Sequence, residues 1–343
     1  MIPAIFGLAG ETLSIEERAF ARAADPAGFI LFARNCRDRV QLRALTDSLR
    51  EATERADLPI LIDQEGGRVA RLGPPEWPAF PAPWRFAELY GRAPISAIEA
   101  ARLNAEAIAV TLAEAGINVD CAPLLDLRHP HGHDVIGDRA LGAEPMQVAA
   151  LGRATLDGLA AGGVCGVVKH VPGHGRARAD SHFELPVIEA TEAELAGDLA
   201  PFRALKDAPM AMTAHVVYAA WDEARCATVS PVVIGEIVRG RIGFAGLLVS
   251  DDLAMAALAG TIAERALAAL AAGCDLVLHG SGALDENETV ARALGEAGAP
   301  ARARLAQAMA VAAGRPPSRD VATLAAQRDA LLALAVAGIE HGP

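Results

Sequence analysis

The sequence predicts an α/β chain folded as a single (β/α)₈ barrel, and three observations carry that expectation. Eight short apolar runs punctuate residues 1–280, amphipathic helical patterns lie between them, and charged residues gather at the C-terminal ends of the runs. Strands that read as continuous apolar stretches belong to parallel sheets covered on both faces, and eight is the number that closes such a barrel. A doubly wound open sheet is the alternative arrangement of the same elements.

In chain order the runs are AIFGLAG (4–10), GFILFAR (28–34), PILIDQE (59–65), NVDCAPLLDL (118–127), CGVVKHV (165–171), PMAMTAH (209–215), LLVSDDL (247–253) and CDLVLHG (274–280). Capping boxes mark helix starts at Ser14 with Glu17, Ser96 with Glu99 and Thr191 with Glu194. In each, a hydroxyl and a carboxylate satisfy N–H groups that the first turn leaves free. Ser230 before Pro231 is a further start, while Gly116 and Gly273 stand where helices stop. No linker or low-complexity stretch interrupts the pattern, so residues 1–343 are expected to form one catalytic domain, with closing helices from about residue 284 to 343.

Composition narrows the function. A chain of 343 residues that is 52% hydrophobic buries a large core, which excludes disorder. Its 31 basic and 43 acidic residues leave a net charge of −12, with no Lys/Arg run to follow a phosphate backbone, so a nucleic-acid partner is disfavoured and small neutral ligands stay open. The five cysteines, Cys36, Cys121, Cys165, Cys226 and Cys274, have no CxxC spacing and read as reduced thiols. The start MIPAIFGLAGETL lacks the basic flank of a signal peptide, and no apolar run reaches membrane-spanning length. A soluble, cytoplasmic protein without a membrane partner is expected, and a monomer would satisfy every pattern here.

The charged strand ends are Asp63 and Glu65, Asp126, Lys169 and His170, His215, and Asp251 with Asp252. A single acid at such a place caps the following helix. Five charged strand ends together point to one polar pocket over the barrel mouth, where the loops of this fold converge.

Four motifs sharpen the reading: LIDQEGGRVARL (61–72), VIGDRALG (135–142), KHVPGHG with ADSH (169–182) and LLVSDDLAM (247–255). In order and spacing they resemble glycoside hydrolase family 3, and within it the NagZ-type branch of β-N-acetylglucosaminidases. The resemblance implies a barrel that removes terminal β-linked N-acetylglucosamine from a small carbohydrate, in the NagZ branch from cytoplasmic muropeptides during peptidoglycan recycling, with no cofactor and no metal.

A retaining glycosidase needs a carboxylate nucleophile and a proton donor. Asp251 and Asp252 are the nucleophile candidates, and alternation along a strand lets only one face the mouth squarely. The resemblance selects Asp251, directly after the motif's Ser250. It also implies that His182 is the proton donor and acceptor, oriented by Asp180. Residues two apart on an extended loop share a side, so Asp180 can hold one ring nitrogen while the other faces the leaving group. The same resemblance implies substrate binding by Asp63, Arg71, Arg139, Lys169 and His170, with a salt-bridged scaffold as the other role for Arg71 and Arg139.

Gly173 and Gly175 suggest a loop free to close, and Arg176 and Arg178 read as its solvated tips. His174 can brace the loop, and Val171 stands where the family carries Phe, which puts the pocket wall in question. The HPHGHD stretch, with His129, His131 and His133, raises the alternative of a metal-dependent hydrolase; a solvated loop is the simpler reading. A sugar-binding barrel without catalysis is the third possibility.

Overall fold

The computed structural model describes residues 1–311 and 319–337. Eight parallel strands form a closed barrel: β1 (Ile2–Gly7), β2 (Pro26–Leu31), β3 (Ile60–Ile62), β4 (Val119–Asp120), β5 (Cys165–Val171), β6 (Met210–Thr213), β7 (Leu247–Asp252) and β8 (Leu276–His279). Each lies between its neighbours in sequence, and β8 pairs with β1, where Ala4 sits opposite Val277. All eight apolar runs therefore supply the strands they were read as, in one ring rather than an open sheet.

Alternation divides the strand residues between two cores. Ile5, Ile30, Leu61, Cys121, Val167, Met212, Val249 and Leu278 fill the barrel interior. Their neighbours, such as Phe6, Phe29, Ile62, Val168 and Leu248, pack outward into the larger core beneath the helices. The regular ladder of the fourth run covers only Val119–Asp120, but single bonds carry the pairing with β5 onward: Val167 and Lys169 donate to the Ala122 and Pro123 carbonyls at 2.9 and 3.1 Å, and the Leu125 N–H donates to the Lys169 carbonyl at 2.7 Å.

Helices α1 (Ile15–Ala24), α2 (Arg39–Thr53), α3 (Trp84–Tyr90), α4 (Pro94–Glu114), α5 (Pro145–Ala161), α6 (Glu192–Ala204) and α7 (Ile262–Ala272) surround the barrel. Both partners of the capping box are present at Ser14 and at Thr191. The Ser96 box is absent: Pro94 takes the first turn of α4, Ser96 lies inside the helix, and Glu99 instead accepts from Arg102 Nε at 2.9 Å. Ser230 Oγ accepts from the Val233 N–H and starts a wide π-type helix, Val233–Ile242. Gly116 (φ 76°) and Gly273 (φ 116°) end α4 and α7 in the left-handed region.

Beyond the barrel follow α8 (Leu284–Ala293), α9 (Ala299–Ala310) and α10 (Val321–Leu332). The last packs on α4, where Arg328 donates to Asn104 at 3.0 Å in a buried contact.

Two features above the barrel had no signal in the sequence. A hairpin joins Gln64–Gly66 to Val69–Ala70, and a small sheet joins Val187–Ile188, Val217–Tyr218 and Asp222–Cys226. Their strands are too short to show a period.

Candidate active site

The same alternation that packs the interior carries charge to its upper end. Asp63 follows Leu61 on one side of its strand, Lys169 follows Cys165 and Val167, and Asp251 follows Leu247 and Val249. Lys169 is 2% exposed, and its ammonium lies 2.8 Å from Asp63 Oδ1 and 2.8 Å from Glu65 Oε1. Glu65 in turn takes a bidentate pair from Arg139, at 2.9 and 2.8 Å. Asp63 Oδ2 accepts from Arg71 at 3.1 Å.

Burial alone would raise both acids, but Lys169 and Arg71 hold Asp63 below the usual carboxylate range, and Arg139 and Lys169 do the same for Glu65. Arg139 donates from Nε, Nη1 and Nη2 within the protein, so much of its role is scaffold. Lys169 has a third N–H to offer, and Arg71 keeps a buried Nε without a partner among the described residues.

Asp251 and Asp252 sit in contrasting fields. Burial opposes ionisation of Asp251, yet His215, His170, the Asp252 N–H at 2.8 Å and Lys169 hold its carboxyl below the ordinary range. For Asp252 burial wins: N–H bonds from Ala254 and Gly280, each 2.9 Å, only partly offset it, and the Asp251 charge pushes the same way as burial. Beneath them His215 donates from Nε2 to the Asp252 carbonyl at 3.0 Å, and its Nδ1 lies 2.7 Å from Thr228 Oγ1. Burial pushes that ring below its usual pKa, against the pull of Asp251.

His170 turns Nδ1 to Asp126 Oδ2 at 2.8 Å, and Asp126 also accepts the N–H groups of His170 and His174. The loop after β5 then brings Asp180 and His182 over the cavity. Asp180 Oδ1 lies 2.9 Å from the His182 N–H and 2.7 Å from its Nδ1. The loop is not extended there. The Phe183 N–H donates to the Asp180 carbonyl, so the pair meets across a turn, through the carboxylate's habit of bonding the backbone two residues on. Burial would raise Asp180, but the N–H and ring of His182 hold it below its ordinary value. His182 itself is 60% exposed, its Nε2 free of protein partners among the described residues.

Asp63, Arg71, Arg139, Lys169, His170, Asp180, His182 and Asp251 thus line one cavity of about 800 Å³. That volume falls within the range of small-molecule sites, roughly 300–1,000 Å³.

Several expectations for the surrounding loops are corrected. Arg176 is not a solvated tip: its Nε lies 2.6 Å from the buried Asp198, and only Arg178 is exposed. His129 is likewise drawn to Asp198, at 2.7 Å, while His133 accepts the Val135 N–H and His131 faces solvent. The three rings therefore diverge, and among the described residues no three His, Cys, Asp or Glu converge as a metal set. Gly173 and Gly175 serve packing. A Cβ on Gly175 would run into the Leu127 carbonyl, and Gly173 has a φ of 133°. Val171, which stands where the family carries Phe, is buried in the outer core and is not among the residues that line the cavity. His174 does brace the loop, its Nε2 3.2 Å from Ser181 Oγ; burial pushes its pKa down to about 4, with Nδ1 unpartnered among the described residues.

Comparison with known proteins fits this geometry. The family described as "Glycosyl hydrolase family 3 N terminal domain" matches residues 12–311. The chain belongs to glycosyl hydrolase family 3. A beta-hexosaminidase of Alkalilimnicola ehrlichii is 43% identical over 281 residues, covering 80% of this chain and 80% of that one. One from Bordetella avium is 41% identical, covering 80% and 79%. Among solved structures, NagZ from Neisseria gonorrhoeae in complex with N-trifluoroacetyl-D-glucosamine superposes with a TM-score of 0.85 at 33% identity, over 97% of each chain.

In this family 3 glycoside hydrolase, sequence reasoning gave four residues around the site no role in it. Glu65, Asp126 and His215 were noted as charged strand ends, but only the fold shows them gripping Lys169, His170 and the Asp251 segment. Phe32 lines the cavity with the Arg71 guanidinium 5.7 Å from its ring; an aromatic at the end of an apolar run carries no signal of such a place.

Proposed function

We propose that this glycoside hydrolase is a retaining exo-β-N-acetylglucosaminidase working through a covalent glycosyl ester on Asp251. One juxtaposition carries the reading: at the C-terminal end of β7 a partly buried carboxylate, held below the usual carboxylate range, faces the same cavity as a His–Asp pair on the loop after β5. An acetal breaks when a nucleophile reaches the anomeric carbon as the leaving oxygen takes a proton. Asp251 supplies the first, and the free Nε2 of His182 the second. His182 then removes a proton from the water that hydrolyses the ester, with Asp180 holding the ring. The spare N–H groups of Lys169 and Arg71, with Asp63, His170 and Arg139 beside them, bind the sugar hydroxyls and acetamide.

Likeness to NagZ and to the beta-hexosaminidases supports N-acetylglucosamine as the sugar. It also favours cytoplasmic muropeptides carrying an anhydromuramic acid aglycone, within peptidoglycan recycling. The five unpaired cysteines agree with a reducing compartment, and among the described residues no helix is long and apolar enough to cross a membrane.

Incubation with a 5-fluoro-N-acetylglucosaminide followed by peptide mass spectrometry tests the reading. The adduct is expected on a peptide modified at Asp251. Modification of Asp252, or turnover with no covalent enzyme at any stage, would replace it with another nucleophile or with attack by the substrate's own acetamide.

A further inference from the structure

The Asp180–His182 pair stands on a loop that His174 braces from within, its Nε2 3.2 Å from Ser181 Oγ. Among the described residues the ring of His182 bonds only to Asp180. What holds the stem of that loop is Asp198, on α6 and 3% exposed. One of its oxygens lies 2.6 Å from Arg176 Nε, four residues before Asp180, and the other 2.7 Å from His129 Nε2, on the loop after β4. Arg176 also reaches the Glu194 carbonyl at 3.0 Å. The two loops are joined directly by the His133 N–H on the Ala177 carbonyl, at 2.7 Å.

The packing agrees. Gly173 lies against Asp198, where an added Cβ would come within 3.2 Å of the Asp198 Cβ, and Tyr218 donates to the Gly173 carbonyl at 2.8 Å. A carboxylate so enclosed, with one cation and one histidine on it from separate loops, couples those loops to a rigid helix. The sugar-binding groups Asp63 and Lys169 lie elsewhere, on or beside β3 and β5.

We propose that Asp198 is a positioning residue for the acid/base dyad: by clamping Arg176 and His129 to α6, it sets where His182 stands over the leaving oxygen. The inference rests on His182 being the acid/base. It touches neither substrate nor reacting atoms, so its loss acts through geometry, and a displacement of about 1 Å can cost on the order of 10²-fold in rate.

The test compares Asp198→Asn, Arg176→Ala, Arg176→Lys and His182→Ala, full-length, on an N-acetylglucosamine β-disaccharide and on a nitrophenyl N-acetylglucosaminide. For Asp198→Asn and Arg176→Ala the disaccharide kcat/KM should fall about 10- to 100-fold, because its oxygen leaves only with a proton. The pre-steady-state burst with the nitrophenyl substrate should change less than about threefold. Arg176→Lys, which keeps the charge, should recover most of the lost rate. If Asp198→Asn does not fold, the partly exposed Arg176 carries the comparison. Equal losses on both substrates, or none, would overturn the proposal while a leaving-group-selective loss in His182→Ala leaves the acid/base assignment standing. No such selectivity in His182→Ala would remove the assignment and this inference together.

Discussion

Asp251 and Asp252 are adjacent carboxylates in one cavity, separated by what surrounds each. Alternation with Leu247 and Val249 turns Asp251 to the axis, near His170 and Lys169, whereas Asp252 is held by the N–H groups of Ala254 and Gly280. Asp251→Asn is therefore expected to lower kcat by on the order of 10⁴-fold or more whatever group departs, while Asp252→Asn should stay within about tenfold; steady-state kinetics on both substrate types reads the contrast. Because its pKa lies below the usual carboxylate value, the ionised Asp251 persists into mild acid. The acid limb of kcat/KM should then show no loss assignable to Asp251 above about pH 4. For His182→Ala, disaccharide cleavage should fall about 10²- to 10⁴-fold, and a nitrophenyl glycoside should give a burst followed by slow turnover that azide accelerates. An unchanged turnover in azide would count against general-base help to water.

At the scale of elements, the loop after β5 carries the dyad, and its fit depends on close approach. Gly175 lies so near the Leu127 carbonyl that Gly175→Ala must move one chain or the other. That variant should lose disaccharide activity by about tenfold or more through displacement of the loop, and circular dichroism should show the barrel intact. Helix α6, which carries Asp198, starts from the Thr191 box, where Thr191 Oγ1 donates to Glu194 Oε2 at 2.7 Å. Thr191→Ala should cost about 1 kcal/mol in denaturant unfolding, a modest loss because the box sits at an exposed helix end.

Across the whole molecule the buried charges join parts of the barrel distant in sequence. Lys169 on β5 ties together Asp63 and Glu65 beyond β3, and Glu65 ties in Arg139 from the loop after β4. Lys169→Ala leaves the buried Glu65 and the partly buried Asp63 short of a cation and should destabilise by roughly 3–5 kcal/mol, as well as weakening sugar binding; chemical unfolding measures the first. Asp120 works in the opposite sense. Burial raises its carboxyl well above the ordinary value, Asp63 and Glu65 add to the rise, and Oδ2 has no partner among the described residues. The folded state thus keeps a proton that the unfolded chain releases, so this group subtracts stability as pH climbs above the unfolded carboxylate value of about 3.9. Asp120→Asn cannot ionise, and its unfolding midpoint relative to the parent should rise as pH climbs above that unfolded value. A difference that shrinks over that climb would contradict the sign.

The local grammar of the chain determined the eight strands, most helix ends and the set of charged strand termini, because alternation, capping and apolar runs are written over a few neighbouring residues. Motif order carried the resemblance to family 3, and the residues it implied line one cavity. Only the closed barrel decided which charges meet. Nothing local joins Lys169 to Glu65, His170 to Asp126, or Arg176 and His129 to Asp198, for these partners lie 22 to 104 residues apart on different strands, loops and a helix. It also decided that Gly175 answers to packing and that three closely spaced histidines face different ways. Such pairings depend on strand register and loop path, which the distribution of apolar residues constrains only after the sheet has closed.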